Sequence, residues 1–527
     1  MPSPLVPPNA LYNGTPLPTP GEAPGSLELP PVSSGVTPLQ LYDPNAPAIL
    51  VLPSISVGER FTNNANYSST NRTAAAETIL EPGVTISADT PRLQGVLSGN
   101  LQGNVYVPSS DLDRLWGNLY ASGLGTVVPD KVFVDVRSYV SEASTLPGLG
   151  FVSPSLLPSN QQTQVYSNTV SPYIRESVDG LVDTELRYRF GSTNYGGNTG
   201  VTSLTSGAPA SNLASGILNE GTFTAATGEN FERALSRLTV DASDFSSVST
   251  SQNKQFSAYD DLEYRFTPDL AALARVGYQN IQYPLSPAAT FVGPTWLAGG
   301  RVGALADRAY LALEYGVQQG VYGFTGSAAY QITPTMNLTA TLVQGISSPT
   351  QYFQTALATS SLNPFGAIVD QYSGLPTAFY NPGLGLTNNV YREHLFNVGI
   401  TDTVGYNQYS LYGYYVNQQS LTPPVTAPTN SRGANLTWSR SIRPDLNSSA
   451  SVGYFNTTNV VTTTTLTPIG SINTVTANIG VNYLFGATLT GSVLYSFSYQ
   501  TNGAALVSGQ SGNIVANSLQ FMLTKTF

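Results

Sequence analysis

The sequence has no cysteine, one histidine and few charges. Only 10% of its 527 residues are charged, whereas typical soluble domains carry about 25%. Without cysteine there is no disulfide framework and no thiolate chemistry, and one histidine excludes a His/Cys metal centre. The net charge of −10 disfavours nucleic acid as a partner. These absences remove several classes of enzyme and regulator.

Long apolar runs are also missing. No stretch of about 18 apolar residues occurs, so no helical membrane span is predicted. Mean hydropathy is nevertheless close to zero, at −0.04. Neutral polar residues therefore stand where a soluble protein would carry Lys and Glu, and 31 Tyr accompany only 3 Met. This balance is typical of a protein that is wetted inside and apolar outside.

The stretch Val321–Ser347 has the pattern of a membrane hairpin. Apolar and polar residues alternate from Val321 to Thr333, a Pro334-Thr335 turn follows, and the alternation resumes from Met336 to Ser347. Each arm is longer than the usual strand of about five or six residues and suits a tilted strand across a bilayer, which needs about nine to eleven. Only helices and closed barrels satisfy their backbone hydrogen bonds in lipid. The hairpin therefore predicts a barrel.

The same pattern divides the whole chain. Residues 1–48 are Pro-rich and predict a disordered periplasmic arm, and residues 49–527 predict one all-β, antiparallel, up-and-down transmembrane barrel. Ten short turns alternate with longer loops, the longest of them at 145–163, 196–214 and 348–389. The count predicts about 22 strands, within a range of 18 to 22, and an even number places both termini in the periplasm. The predicted turns lie at Asp89, Val128-Pro129, Asp179-Gly180, Gly228, Pro268-Asp269, Ala306-Asp307, Pro334-Thr335, Gly405-Tyr406, Pro444-Asp445 and Gly486-Ala487.

The chain ends in a pattern that resembles the assembly signal of outer-membrane barrels. Leu519, Phe521, Leu523 and the terminal Phe527 share one strand face, and Lys525 stands where that signal commonly has an aromatic residue. We therefore expect location in the cell outer membrane, with its lipid and the barrel-assembly machinery as partners. Met1-Pro2-Ser3-Pro4 carries no export signal, so we expect the sequence to be a mature form with a start Met added.

Strand alternation also predicts which residues face the lumen. Where Leu186, Tyr188 and Phe190 point outward, their neighbours point inward, and the same register applies to other strands. The predicted lumenal charges form one arc, opposite a wall of neutral Thr, Ser and Asn. They could guide a polar solute or form ion pairs that only hold strands in register. The arc consists of Asp135, Arg137, Arg175, Glu185, Arg187, Arg189, Asp261, Glu263, Arg265, Arg275, Arg301 and Glu314.

Catalysis and cofactors have little support. His394 is the single histidine and no Ser motif accompanies it, so a hydrolase with Ser, His and an acid is the least favoured hypothesis. Asp260-Asp261 could suggest calcium but is typical of a solvated strand end. No catalytic, cofactor-binding or metal-binding residue is predicted, and no cofactor is expected.

Several short motifs in order resemble a known family. They are Phe61-Thr-Asn-Asn64, Glu81-Pro-Gly-Val84, Val170-Ser-Pro-Tyr173, Tyr188-Arg-Phe190, Tyr264-Arg-Phe-Thr-Pro-Asp-Leu270 and Val276-Gly-Tyr-Gln279. Together the motifs resemble the beta-barrel porin type 2 family, and the chain is similar to outer-membrane proteins associated with exopolysaccharide and PEP-CTERM gene clusters. The resemblance implies an outer-membrane barrel linked to polysaccharide secretion, with polysaccharide or secretion-system proteins as partners.

Three functions stay open at this stage. The first is a porin-like channel or exopolysaccharide-associated pore for polar solutes or glycan. The second is a non-conducting barrel that docks partners of an envelope secretion assembly. The third is the barrel-borne hydrolase. Only the first predicts ion conductance, and only the third requires His394 to lie beside a Ser and an acid.

Overall fold

A computed structural model describes most of the chain, namely residues 48–144, 152, 156–157, 162–196, 213–228, 230–247, 251–304, 309–362, 368–370, 386–422, 428–458, 470–501 and 512–527. Within them, 22 antiparallel strands form one sheet in which each barrel strand pairs with the next. The first strand also pairs with the last, from Ser54↔Thr526 to Thr62↔Ser518, so the sheet closes into a barrel. The predicted all-β fold and strand number are confirmed.

The elements are given in chain order. The barrel strands are β1 (Ile49–Thr62), β2 (Ala75–Asp89), β3 (Leu93–Val107), β4 (Arg114–Val128), β5 (Val132–Ser144), β6 (Gln162–Val178), β7 (Val182–Gly196), β8 (Gly216–Thr227), β9 (Ala234–Ser247), β10 (Asn253–Thr267), β11 (Leu270–Gln282), β12 (Phe291–Ala304), β13 (Ala309–Gln318), β14 (Val321–Gln331), β15 (Met336–Ser347), β18 (Tyr391–Val404), β19 (Asn407–Ser420), β20 (Thr429–Arg443), β21 (Leu446–Thr458), β22 (Ser471–Gly486), β23 (Leu489–Gln500) and β24 (Ile514–Thr526). Helix α1 spans Pro349–Thr359, and β16 (Ser360–Leu362) pairs with β17 (Ile368–Asp370) in a separate two-stranded sheet. Two short 3-10 turns lie at Ser110–Leu112 and Pro287–Ala289. None of the helices in this described part of the chain is long and apolar enough to cross a membrane.

The outer surface of the barrel is apolar because the strands alternate. On β7, Leu186, Tyr188 and Phe190 are 57%, 46% and 40% exposed, and their sequence neighbours project to the other side. The same holds on β14, where Tyr322 and Phe324 are exposed. A closed sheet with an apolar exterior satisfies its backbone internally and presents a surface that lipid can cover.

The two rims of the barrel differ. One rim carries the short turns, which occur where the sequence predicts them; the turn at Ala306-Asp307 lies outside the described residues, although β12 ends and β13 begins on either side of it. The other rim carries the longer connections, apart from the two-residue turn Gln319-Gly320 between β13 and β14. Both barrel termini lie at the short-turn rim, where the amide of Phe527 donates to the Pro53 carbonyl at 2.9 Å. Which compartment this rim faces stays a prediction, and the arm lies, except for residue 48, outside the described residues.

The hairpin that predicts the barrel differs from its sequence pattern in one respect. Both arms are present, as β14 and β15, but they pair only from Gly326↔Leu342 to Gln331↔Asn337. Val321–Thr325 and Val343–Ser347 form no ladder with each other, although each pairs fully with its other neighbour, β13 or β18. The sequence alternation alone predicts a complete hairpin. Another interaction must therefore hold Val343–Ser347, the upper half of β15, away from β14.

Candidate functional site: a charged lumenal wall with a helix packed on it

The residues of the predicted lumenal wall lie on the side of their strands opposite to the exposed apolar residues. Arg137 is 8% exposed while Val136 is 44% exposed, and Arg301 is 3% exposed while Val302 is 49% exposed. In a closed barrel the side opposite the apolar exterior is the lumen. The predicted positions thus gather on adjacent strands from β5 to β13, which we call the charged arc.

Within the charged arc, acidic and basic groups are close enough to pair. Glu263 is 1% exposed, and its Oε1 accepts from Arg265 and Arg301, both at 2.7 Å. Arg275 forms a two-pronged pair with Asp261 at 2.6 and 3.0 Å and lies over the ring of Tyr259. The other pairs are Arg137–Asp135, Arg175–Glu185, Arg187–Glu185 and Arg189–Glu220, and Glu314 lies on the same face of β13.

Buried groups like Glu263 are costly to leave unpaired, because a charge removed from water loses its hydration. The charged arc is therefore held rigidly by its own ion pairs. Its members Glu263 and Arg301 are buried in the wall, whereas the side chains of Arg175, Arg187 and Asp261 stay partly exposed to the lumen.

Helix α1 packs on the inner wall next to the charged arc. Phe353 and Leu357 are 1% and 0% exposed and form an apolar cluster with Tyr120 and Val165 of β4 and β6. The ring of Phe353 lies 6.5 Å from that of Tyr139 on β5. Full burial of a side chain such as Leu or Phe contributes about 1.5–3 kcal/mol. The helix is thus docked on the wall by an apolar face.

Polar contacts fix both ends of α1. At its C-terminus, Arg137 Nη1 donates to the carbonyls of Leu357 and Ser360 at 3.3 and 2.5 Å. A cation there also matches the negative end of the helix dipole. At the N-terminus, the hydroxyls of Tyr195 and Thr350 are 3.0 Å apart. Arg137 therefore has a role that alternation does not predict, since it clamps the helix to the wall.

A further clamp comes from Tyr283, beyond the end of β11. Its hydroxyl donates to Oε1 of Gln351 at 3.3 Å. Burial raises the pKa of Tyr283 above its usual value, and the hydrogen bond to Gln351 opposes this only in part. The phenol therefore stays protonated and keeps its role as donor.

The position of α1 requires the chain to cross the lumen. Seven strands, β8 to β14, separate β7 from β15 along the sheet, and neighbouring strands lie about 4.8 Å apart. Thr350 nevertheless contacts Tyr195 of β7 only three residues after β15 ends at Ser347, and three residues reach at most about 11 Å. The contact can only be made through the interior. The part of the connection that carries α1, residues 348–362, therefore lies inside the barrel, which the sequence leaves undecided.

The return path stays inside as well. The amide of Leu386 donates to the Ser144 carbonyl of β5 at 3.2 Å, and Oδ1 of Asn388 accepts from the amide of Ala214, just before β8, at 2.9 Å. Strand β18 then begins at Tyr391 on the other side. The described ends of this connection, 348–362 and 386–390, thus both cross the lumen near the long-loop rim.

A second connection also folds inward at this rim. Tyr67, between β1 and β2, is fully buried with Ile514 and Ala516 of β24, and its hydroxyl lies 2.9 Å from that of Ser498. Asn64 ties the same loop to the Val515 carbonyl at 2.9 Å. The loop 63–74 therefore covers the inner wall at β23, β24 and β1, from which only β2 and β3 separate the wall that holds α1.

Some lumenal charges escape sequence reasoning. Arg60 of β1 pairs with Glu77 of β2 at 2.8 Å and donates to Gln520 of β24, across the closure of the barrel. Glu81 and Glu393 are also buried on the inner face. The alternation signals only Glu81, which stands between Leu80 and Pro82, because Arg60 follows Glu59 and Glu393 stands between Arg392 and His394. The predicted neutral wall is therefore interrupted at Glu393, and neutral side chains line it further along, at Asn435, Thr474 and Thr476.

The residues considered for catalysis do not assemble a site. His394 lies on the face of β18 that includes the lipid-facing Phe396, and the carboxylate of Asp261 is taken by Arg275. Among the described residues no three His, Cys, Asp or Glu are placed to hold a metal ion. Asp260 instead accepts from the Ser236 hydroxyl at 2.8 Å.

Comparisons with known proteins match the architecture. No protein-family model matches the chain, and no curated protein matches it. Its structure is similar to the FrpB iron transporter from Neisseria meningitidis, F5-1 variant, with a TM-score of 0.51, 8% identity and coverage of 96% of this chain and 87% of that chain. For the F3-3 variant of FrpB the TM-score is 0.51 and the identity 9%, with coverage of 93% of this chain and 83% of that chain. For OpdQ from Pseudomonas aeruginosa the TM-score is 0.35 and the identity 9%, with coverage of 92% of this chain and 99% of that chain.

At these identities the likeness to FrpB defines the fold alone. The chain is a large closed β-barrel of the outer-membrane class, and its apolar exterior places it in the outer membrane. Within that class, the beta-barrel porin type 2 family remains a prediction.

Proposed function

We propose that the protein is a porin-like channel of the outer membrane whose helix α1 constricts the lumen. The observation that carries the proposal is the docking of α1 on the inner wall, clamped by Arg137. Helix α1 is held on the wall by noncovalent contacts only and occupies part of the lumen. A polar solute would pass between the charged arc and the neutral wall opposite.

The neutral wall suits a carbohydrate chain. On its inner face Thr437 and Asn478 are partly exposed and Asn482 is exposed, and they supply hydroxyl and amide groups that hydrogen-bond sugar hydroxyls without strong charge. The resemblance to proteins of exopolysaccharide clusters points to the same class of solute. We therefore expect neutral oligosaccharides added to the bath to reduce the single-channel current more than charged solutes of equal size do.

Removal of the constriction tests the channel directly. Ser347 of β15 pairs with Tyr391 of β18, so a short turn can replace residues 349–389 without displacing either strand. In planar bilayers the shortened protein should conduct several-fold more than the full chain. A folded barrel that conducts in neither form would end the channel proposal.

That negative result would favour the docking barrel instead. The specific observation behind this second function is the completeness of the apolar cluster around α1, in which Phe353 and Leu357 are as buried as a soluble core. Such packing is typical of a permanent plug. A docking barrel would keep its secretion-system partners bound while remaining silent in the bilayer.

A further inference from the structure

The split between β14 and β15 is the strongest feature that the channel proposal leaves unexplained. Between Val321–Thr325 and Val343–Ser347 there is no ladder pair. Two hydrogen bonds through side chains connect the region: Thr325 Oγ1 to the Leu342 carbonyl at 3.2 Å, and the Ile346 amide to Gln319 Oε1 at 2.5 Å. An unpaired strand edge is costly in a membrane wall, because lipid offers no replacement for the lost hydrogen bonds.

The upper half of β15 lies behind β14, on its lumenal side. Leu342, Gln344 and Ile346 lie on one face of β15. At Leu342 this face is directed to lipid, because Leu342 pairs with the exposed Phe396 of β18. Yet Gln344 is only 2% exposed and Ile346 only 8%. Ile346 packs with Val321, which belongs to the inner face of β14. The two strands therefore overlap here, with the outer face of β15 against the inner face of β14.

Gln344 shows that the overlap is an imperfect fit. Neither its Oε1 nor its Nε2 has a hydrogen-bond partner, although the side chain is buried. A Cβ at position 323 would overlap its Oε1, so the Gln344 amide would have to move for any residue other than glycine at Gly323. A buried amide without partners costs about 1–3 kcal/mol. The overlapped arrangement thus carries a local penalty that some other contact offsets.

The sequence encodes a different arrangement of the same strands. Continuing the register beyond Gly326↔Leu342 would pair Phe324 with Gln344 and Tyr322 with Ile346, all on the outer face. The inward partners would be Gly323 with Gly345. This complete pairing would satisfy the open edge of β14. It would also draw Ser347, and with it the start of α1, away from β7.

We infer that the β14–β15 seam is a hinged part of the barrel wall that exchanges between two states. In the overlapped state α1 is docked on β4–β7 and the seam is open. In the paired state β15 completes its ladder with β14 and α1 leaves the wall. The two are exclusive because Thr350 contacts Tyr195 only three residues beyond β15. The inference rests on the proposed function only for its consequence, which is that the paired state conducts better.

The absence of native cysteine makes the two states distinguishable by cross-linking. A disulfide requires Cα atoms within about 7 Å and facing side chains. In the overlapped state the side chains at 322 and 346 lie on opposite sides of β14, so Tyr322→Cys with Ile346→Cys should cross-link only in the paired state. Ala328→Cys with Ala340→Cys is the matched control, since these residues are paired directly.

Undocking α1 should raise the yield of the 322–346 cross-link and leave the yield of the 328–340 cross-link unchanged. Leu357→Asp places a charge in the apolar cluster, and Ala358→Asp on the less buried side of α1 is its control. We expect several-fold more 322–346 cross-link with Leu357→Asp than with Ala358→Asp, and equal 328–340 cross-link in both. Arg137→Met should act like Leu357→Asp and serves if that variant does not fold.

Equal 322–346 yields in the docked and undocked backgrounds, whether low or high, would overturn the hinge. Because the yield is read on denaturing gels, it does not depend on conductance. A yield that follows α1 docking in a barrel that never conducts would retain the hinge and reject the channel.

Discussion

At the scale of single residues, Arg137 connects the predicted wall with the unpredicted helix. Its guanidinium is held by both oxygens of Asp135, at 2.9 and 3.1 Å, and donates to two carbonyls at the end of α1. Asp135 thus orients Arg137, and Arg137 orients the helix. The alternation of β5 predicts that both residues face inward. It does not predict the carbonyls they hold, because these lie 220 residues or more further along the chain.

Loss of this clamp should expose α1. Hydrogen bonds to charged groups contribute about 1.5–3 kcal/mol each, so Arg137→Met should favour undocking by about tenfold or more. A Gln354→Cys reporter is suitable because Gln354 is fully buried against the wall and the chain has no other cysteine. Its maleimide labelling should accelerate accordingly. Arg443→Met, which removes an exposed ion pair with Asp445 at a short turn, should leave labelling unchanged.

The buried carboxylate of Glu263 should matter more for stability than an exposed one. Glu263→Gln leaves Arg265 and Arg301 without their common partner, and breaking a buried pair costs about 3–5 kcal/mol. Glu176→Gln removes the exposed pair with Lys131 at 3.0 Å, which is worth about 0–1 kcal/mol. Thermal unfolding followed by gel mobility should separate the two variants. Equal midpoints would show that the lumen hydrates Glu263 despite its burial.

At the scale of elements, strands were predictable and their inward connections were not. Each strand carries its own alternation of apolar and polar residues. Turns such as Pro268-Asp269 or Pro334-Thr335 are predictable because their proline presets the backbone angle φ. Helix α1 has only 11 residues, and its partners come from β4 to β7. A local pattern can reveal that Phe353 and Leu357 need burial, but not which wall buries them.

The loop 63–74 provides a test of inward folding that is independent of α1. Asn64 is fully buried and donates to the carbonyls of Ser68 and Val515 at 2.8 and 2.9 Å. Asn64→Ala removes both bonds and should release the loop, so trypsin should cut after Arg72 faster. Asn66→Ala is the matched control, because Asn66 bonds only within the loop, to Asn71 and Thr73. Equal cleavage rates would mean that the packing of Tyr67 alone holds the loop.

At the scale of the whole molecule, the closure of the barrel joins the two ends of the described chain. Nine residue pairs connect β1 and β24, from Ser54↔Thr526 to Thr62↔Ser518, and Arg60 reinforces them from inside by its bonds to Gln520. A closed sheet has no free edge, which a membrane requires. The closure cannot form until the last strand has been made, so we expect β24 to be required for assembly.

The C-terminal residues should therefore act on assembly and not on the finished barrel. Leu519, Phe521, Leu523 and Phe527 are all exposed on the outer face, at 37%, 44%, 49% and 68%, so they contribute little packing within the barrel. We expect Phe527→Ala to lower the fraction of folded barrel in cells several-fold, measured as the heat-modifiable band on gels. Purified folded protein should unfold at an unchanged temperature, because the backbone bond from Phe527 to Pro53 does not involve the side chain. Tyr406→Ala, which removes another highly exposed aromatic ring at the same rim, should affect neither quantity. A lowered unfolding temperature in Phe527→Ala would instead assign the ring a structural role in the membrane interface.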